Sequence, residues 1–166
     1  MIIPELISRI KEPVHFDERP VDQGTITSIL EAARLAPSAN NSQIWRFFVI
    51  RDDALLRQAA ALAGRAVFAD ARTIIAACAE PWIVGRRGRE QPFFMIDVPI
   101  ALAHIILAAR EMGVSVSLSF DFDEERLIAL LGARRGYRAV ALIALGYAQD
   151  DRSRSDGERE DIVGII

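Results

Sequence analysis

A short polar stretch between two apolar segments contains the residues best suited to bind a ligand. It covers residues 36–50 and reads APSANNSQIWRFFVI. Its first half is rich in proline, serine and asparagine, which interrupt a helix and offer hydrogen-bonding groups from an ordered loop. Its second half, Trp45–Ile50, has the aromatic and β-branched bulk of a buried strand. Binding groups commonly lie on such a loop, although the pattern also fits an ordinary connection between a helix and a strand.

The other reactive residue types do not form a catalytic set. His15 and His104 lack the spacing of a metal-binding pair, and Cys78 is the only cysteine. The sequence has no Gly-x-Ser-x-Gly elbow and no glycine-rich phosphate loop after a strand. We therefore expect no metal site. We interpret His104 as an interface histidine with a satisfied hydrogen bond and Cys78 as a small core residue.

An arginine-rich segment, GRRGR at residues 85–89, is a second candidate for ligand binding. Its composition fits a solvated surface loop, and it also fits a site for an anion such as a phosphate. Trp82, Phe93 and Phe94 flank it and could either cover a flat ligand or serve as packing anchors. The residues alone leave both interpretations open.

Length and charge limit the class of protein. The chain has 166 residues, 51% of them apolar, and a formal net charge of −3. This length favours one domain over residues 1–166, and the acidic balance argues against nucleic-acid binding. The apolar excess suggests surface buried against a partner chain. We expect a reducing, cytoplasmic location without membrane insertion, because one cysteine allows no disulfide within the chain and no targeting or spanning segment is recognisable.

Hydrophobic periodicity predicts the elements that position the polar stretch. Helices are predicted over residues 4–10, 25–35, 54–64, 94–112 and 124–131, with Asp52 or Asp53 and Asp123 as caps. Strands are predicted at Trp45–Ile50, Thr73–Ala79 and residues 114–120 and 138–147. The helix over 94–112 is apolar on nearly every side, and Pro99 must lie in its first turn or kink it. Together these elements give an α+β sandwich with one central sheet.

The polar stretch resembles the signature loop of the nitroreductase family of flavin enzymes, which reads Pro-Ser-x-x-Asn-x-Gln-Pro-Trp. The matching residues are Pro37, Ser38, Asn41, Gln43 and Trp45, with Ile44 in place of the second proline. The helix MIDVPIALAHIILAAREMG is similar to the family's interface helix and carries Asp97 at its usual acidic position. The segments GVSVSLSFDFDEERLIALLG and GYRAVALIALGY extend the resemblance over nearly the whole chain.

The resemblance implies a fold, an assembly and a reaction. The fold would be a nitroreductase-like sandwich with a mainly antiparallel central sheet flanked by helices, and the assembly an intertwined homodimer. FMN would lie at the dimer interface, with NADH or NADPH as electron donor. The enzyme would reduce nitroaromatics, quinones or similar flat acceptors by a ping-pong mechanism. The sequence does not choose between the two donors, and it does not name the acceptor.

The resemblance also implies a set of cofactor-binding residues and no catalytic side chain, because the flavin carries the chemistry. The neighbouring subunit would line the flavin with Pro37, Ser38, Ala39 and Asn41, while Gln43 fixes the loop. Near the phosphate or the ring, the implied contacts are Lys11, Phe120, Asp121, Arg152 and Arg154.

Several of these positions depart from the family pattern. Ile10, Glu12 and Val14 stand where the family usually has arginine or serine, and Phe120 stands where it commonly has a small residue. Asp156 falls at one position of a late Arg/Lys pair. These departures favour an alternative, a dimer of the same fold that binds flavin or another flat ligand weakly without NAD(P)H-driven turnover. A flavin-using dehalogenase or a flavin-cleaving enzyme is a third possibility.

Overall fold

The computed structural model of the chain describes residues 3–8, 10, 12–80, 86–87 and 91–149. Within these ranges the helices are α1 (Ile3–Ser8), α2 (Gln23–Arg34), α3 (Asp53–Ala63), α4 (Phe94–Glu111) and α5 (Glu124–Leu130). The strands are β1 (Trp45–Ile50), β2 (Thr73–Ala79), β3 (Arg86–Arg87), β4 (Gln91–Pro92), β5 (Ser115–Ser119) and β6 (Arg138–Gly146). No helix in the described ranges has the length and apolar character needed to cross a membrane.

Four strands form the central sheet in the order β1-β2-β6-β5, and every neighbouring pair is antiparallel. All seven residues of β2 are buried, as expected for a continuous apolar run covered on both faces. Trp45 pairs with Ala79 and Ala79 with Arg138, so the start of β1 and the start of β6 lie at the same end of the sheet. The predicted antiparallel α+β sandwich is confirmed.

Helices cover both faces of this sheet and divide the core into two layers. On one face, α2 and α4 pack on alternate residues of β2 such as Ile75 and Ala77. On the other face, α3 and α5 pack on the intervening residues, which include Ile74 and Cys78. Successive side chains of a strand point to opposite faces, and both faces of β2 are covered by helices. Strand β2 therefore lies at the centre of the molecule. Burial raises the pKa of Cys78 to about 12, with a smaller contribution from Glu124, so its prediction as an unreactive core residue is confirmed.

The helix ends explain why the predicted boundaries are close to the observed ones. Asp52 accepts hydrogen bonds from the N–H groups of Ala54 and Leu55 at 2.9 and 3.0 Å, and Asp123 accepts one from Arg126 at 3.0 Å. Asp123 is the N-cap that the sequence predicts, and of the two candidates Asp52 and Asp53 the structure has Asp52 as the cap. The chain leaves α4 through Gly113, which has φ of +73°, a value that favours glycine.

The structure corrects two of the predictions, and a third concerns a loop that is only partly within the described residues. Helix α2 begins two residues earlier than predicted, because Asp22 caps it through Thr25. Pro99 lies in the second turn of α4, so of the two predicted outcomes, a place in the first turn or a kink, the first is wrong. The arginine-rich loop contains a short pairing of β3 with β4, and the rest of the loop, together with residues 150–166, lies outside the described residues.

Candidate functional site

The predicted binding loop is a closed turn between α2 and β1. Residues Ala39–Asn41 form a single 3-10 turn. The Ser38 hydroxyl oxygen accepts a hydrogen bond from the Gln43 N–H at 3.0 Å, and the Gln43 side-chain amide donates to the Asn41 side-chain oxygen at 2.9 Å. The expectation that Gln43 fixes the loop is therefore confirmed. Within the described part of the chain, the Asn41 amide nitrogen and the Ser38 hydroxyl hydrogen have no hydrogen-bond partner.

This loop also contains the unusual backbone of the described chain. Asn40, Asn41 and Gln43 have φ values of +53°, +53° and +46°, and they are the non-glycine residues with positive φ in the described ranges. Each such residue costs about 1 kcal/mol or more relative to an ordinary conformation, asparagine least. A strained conformation persists only where surrounding bonds hold it. Three strained residues within four positions therefore indicate a loop whose shape is held by its surroundings.

Asp97 in the first turn of α4 supplies that restraint. Its side chain is buried, with the residue only 1% exposed, and its carboxylate accepts a hydrogen bond from the Ala39 N–H at 3.0 Å. The other carboxylate oxygen lies 3.5 Å from the Ser42 hydroxyl group. A negative charge is favoured near a helix N-terminus, which partly offsets the cost of burying it. We call residues 37–43 together with Asp97 the loop region.

A polar cluster supports the loop region from the strand side. Arg46 donates hydrogen bonds to the carbonyl oxygens of Gln43 and Trp45 at 3.3 and 2.7 Å. It also lies 3.4 Å from the Glu80 carboxylate, which accepts a hydrogen bond from the Tyr137 hydroxyl group. The hydrogen bond to Glu80, aided by burial, raises the pKa of Tyr137 above its ordinary value. No pattern in the sequence indicates this cluster, because its members lie far apart along the chain.

A second group of predicted residues lies at the end of β5. Phe120 is 63% exposed and Asp121 is also exposed. Beside them, the Glu12 carboxylate accepts a hydrogen bond from the Ser117 hydroxyl at 2.8 Å and forms an ion pair with Arg65 at 2.6 Å. Arg65 also donates to the Leu118 carbonyl oxygen. We call Glu12, Arg65, Ser117, Phe120 and Asp121 the β5 region.

One chain does not bring the loop region and the β5 region together. The loop adjoins β1 at one edge of the sheet, whereas Phe120 follows β5 at the other edge. Three strand spacings separate these edges by about 14 Å. Along the strand direction, Trp45 is level with Arg138 and Ser119 with Leu142, a further separation of about 13 Å. A ligand that contacts both regions of the same chain would have to cross the face of the sheet.

Helix α4 has one covered side and one uncovered side. Asp97, Val98, Leu102 and Ile105 are buried within the chain. On the opposite side, Met95, Pro99 and Ala103 are exposed at helical spacing, and Ile106 and Leu107 are only partly buried. Among the described residues, this side is an apolar stripe that no other element covers. His104 hydrogen-bonds the Ala32 carbonyl at 3.0 Å, so its hydrogen bond is satisfied within the chain.

Some of the residues predicted to contact the cofactor fall outside the described part of the chain. Lys11, Arg152 and Arg154 lie outside the described residues, as do Asp156 and Trp82. Val14 is exposed and Ile10 is partly buried.

A cleft of about 680 Å³ lies between α5 and the start of β6, and Glu124, Tyr137 and Arg138 line it. None of the residues predicted from the sequence lines this cleft.

Comparison with known proteins gives a consistent result. A family model described as "Nitroreductase family" matches residues 15–72 and 58–147. A protein of Archaeoglobus fulgidus, provisionally named NADH dehydrogenase/NAD(P)H nitroreductase, is 34% identical over 144 residues, covering 82% of this chain and 80% of its own. Among solved structures, a nitroreductase family protein of Streptococcus pneumoniae superimposes with a TM-score of 0.87 at 20% identity, covering 99% of this chain and all of its own. An FMN-dependent nitroreductase of Clostridium difficile gives 0.81 at 18% identity, covering 93% and 92%.

Proposed function

The chain belongs to the nitroreductase family, and from that premise we propose that it is an FMN-dependent oxidoreductase. It takes electrons from NADH or NADPH and passes them to a nitroaromatic, a quinone or a similar flat acceptor. The observation that carries the proposal is the strained loop at residues 37–43, which the buried Asp97 fastens to α4. The names of the Archaeoglobus and Clostridium proteins support the donor and the cofactor.

The loop region fits an FMN molecule. It carries no formal charge outside the buried Asp97 and presents the Asn41 amide and the Ser38 hydroxyl as donors. Such donors suit the carbonyl and hydroxyl groups of a flavin. Bound FMN would supply the hydride transfer that side chains cannot perform. The chain's own residues then have to hold the cofactor, bond to its edge and leave one face of the ring open to substrate.

The β5 region fits the phosphate end of FMN less well. Its one described cation, Arg65, is already paired with Glu12. Further cations for the phosphate would come from Lys11, Arg152 or Arg154. We propose these three as the phosphate contacts, and Phe120 and Asp121 as contacts near the ring.

We propose a homodimer in which the loop region of one subunit faces the β5 region of its partner. The separation of the two regions within one chain supports this arrangement. The uncovered apolar side of α4 offers the surface for pairing, and its twofold copy would bury the stripe of Met95, Pro99 and Ala103. The cofactor site would be incomplete without the second chain.

Titration of the purified protein with FMN, followed by quenching of flavin fluorescence, tests the proposal. We expect a dissociation constant below about 1 μM, equivalent to about −8 kcal/mol. NADH or NADPH should then bleach the bound flavin, and a quinone or nitroaromatic should restore its colour. Steady-state rates should give parallel double-reciprocal lines. A protein that remains colourless after incubation with FMN would overturn the proposal.

The Glu12–Arg65 pair favours one alternative function. If this pair lowers cofactor affinity, the chain could be a dimer that binds flavin or another flat ligand weakly without NAD(P)H-driven turnover. This alternative predicts a dissociation constant for FMN above about 10 μM. It also predicts no oxidation of NADH or NADPH at saturating FMN. Turnover with either donor excludes it.

A further inference from the structure

The Glu12 carboxylate occupies a position where two donors converge on one oxygen. Its Oε1 atom accepts the Ser117 hydroxyl at 2.8 Å and lies 2.6 Å from a terminal nitrogen of Arg65. The three residues come from separate parts of the chain, namely the segment before Phe16, the turn after α3 and the edge strand β5. No local sequence pattern links them.

Both donors are held in place without Glu12. Arg65 also donates to the Leu118 carbonyl oxygen, so its guanidinium group is anchored to β5. Ser117 is 1% exposed, and its backbone belongs to the ladder in which Ser117 pairs with Ala144. The next serine on the same face of β5, Ser119, already donates to the Ala63 carbonyl at 2.7 Å. The donor pair therefore exists whether or not a carboxylate lies against it.

We infer that Arg65 and Ser117 form an anion-binding position and that Glu12 fills it as a competitor from within the chain. The ligand class is a phosphate monoester. A guanidinium group with an adjacent hydroxyl suits a phosphate as well as a carboxylate. The side chains of Arg65 and Glu12 are 34% and 32% exposed, so an anion from solvent can reach them.

The anion-binding position of Arg65 and Ser117 belongs to the same region as the proposed flavin contacts. Its link to the cofactor therefore rests on the proposed function. Ser117 precedes Phe120 by three residues on the same stretch of chain, and Arg65 donates to the carbonyl oxygen of Leu118 between them. Phe120 and Asp121 are the proposed contacts near the ring. A carboxylate tethered in the chain has a high effective concentration at its own site. Glu12 therefore lowers the affinity for a phosphorylated flavin and has little effect on one that lacks the phosphate.

The first test uses inorganic phosphate and needs no flavin. The variants are Glu12→Ser, Glu12→Gln, the double variant Glu12→Ser with Arg65→Met, and Glu18→Ser as a control for loss of one exposed carboxylate. We expect the melting temperature of Glu12→Ser to rise with the logarithm of phosphate concentration at constant ionic strength. The native protein, the double variant and Glu18→Ser should respond less. An equal response in Glu12→Ser and the double variant would overturn the inference.

The second test compares FMN with riboflavin on the same variants. Removing Glu12 should raise the affinity for FMN relative to riboflavin by about tenfold or more, the factor of one charge-assisted hydrogen bond. Glu12→Gln removes the charge and keeps an oxygen that can accept from Ser117. It replaces Glu12→Ser in the comparison if the serine variant folds poorly. An unchanged ratio overturns the inference while the flavin function stands. If no variant binds either flavin, the proposed function fails, and the phosphate test still decides the inference.

Discussion

The loop region is uncharged apart from a buried carboxylate, whereas the β5 region is charged and open to solvent. The loop is strained at Asn40, Asn41 and Gln43, and Asp97 holds it in that shape. The β5 region has ordinary backbone in its described part, and its ion pair of Glu12 with Arg65 is one third exposed. In the proposed site, one region is preorganised for neutral hydrogen-bonding groups, and the other is the inferred position for an anion.

The difference predicts how the two regions respond to change. Disturbing the loop region should affect stability and binding together, because its shape depends on buried bonds. Disturbing the β5 region should affect binding with little loss of stability, because exposed ion pairs contribute little to folding. The proposed dimer joins the two regions, so its disruption should have the largest effect.

Placing a charge on the uncovered side of α4 tests whether a dimer brings the loop region and the β5 region together. Ala103 is exposed in the single chain, so Ala103→Glu should leave the subunit folded. In a dimer the new carboxylate would be buried and unpaired at a cost of several kcal/mol. We expect monomers by sedimentation at micromolar concentration and loss of flavin binding. Ala61→Glu, at an exposed position of α3, is the matched control. A dimeric Ala103→Glu protein would contradict the assignment of this side of α4 to the interface.

Removing the carboxylate that fastens the loop should have the next largest effect. Asp97→Ala leaves the Ala39 N–H without its partner and releases the strained residues. We expect the free energy of unfolding to fall by about 2–3 kcal/mol and FMN affinity to fall by about tenfold or more. Chemical denaturation and flavin titration measure the two quantities.

Two variants sharpen the Asp97 experiment. Asp97→Asn should recover part of both losses, because its amide oxygen can still accept from Ala39. Asp53→Ala removes an exposed carboxylate from the first turn of α3 and should leave FMN affinity unchanged. Lower stability with unchanged FMN affinity in Asp97→Ala would mean that the loop's shape does not govern binding.

The aromatic side chain in the β5 region should contribute less than the loop. Phe120 is 63% exposed in the single chain, and covering it with a flat ring would bury apolar surface. We expect Phe120→Ala to weaken FMN binding by about tenfold, about 1.4 kcal/mol, with an unchanged melting temperature. Leu55→Ala, on α3, controls for loss of an exposed apolar side chain. Tighter binding in Phe120→Ala would show that the ring obstructs the ligand.

The sequence predicts the helices and strands that carry both regions, but it does not predict the hydrogen bonds and ion pairs within them. Strands β1 and β2 begin and end where predicted, because short β-branched and aromatic runs between turn residues leave little choice. Asp97 was placed by resemblance alone, and its partners Ala39 and Ser42 are 58 and 55 positions away. The pairing of Glu12 with Arg65 has no local signal. Periodicity also fails on α4, because a helix apolar on every side does not show that Leu102 faces the core and Ala103 faces outward.

The cluster behind the loop gives the smallest expected effect and a dependence on pH. The hydrogen bond from Tyr137 to Glu80, with burial and the charge of Glu80 adding to it, raises the pKa of Tyr137 above 10.0 in the folded protein. The folded chain therefore holds this proton more tightly than the unfolded chain. The stabilisation is complete below the unfolded pKa and is lost as the pH rises through the folded pKa.

Replacing this tyrosine separates the hydrogen bond from the rest of the cluster. At neutral pH, Tyr137→Phe should lower the free energy of unfolding by about 1 kcal/mol, the usual value of one hydrogen bond. As the pH rises above about 10, stability should fall more steeply in the native protein than in this variant. Tyr147→Phe is the matched control, because the Tyr147 ring packs against Arg19 at 4.4 Å and not against Glu80. Equal slopes in all three proteins would show that the Tyr137–Glu80 bond does not stabilise the fold behind the loop region.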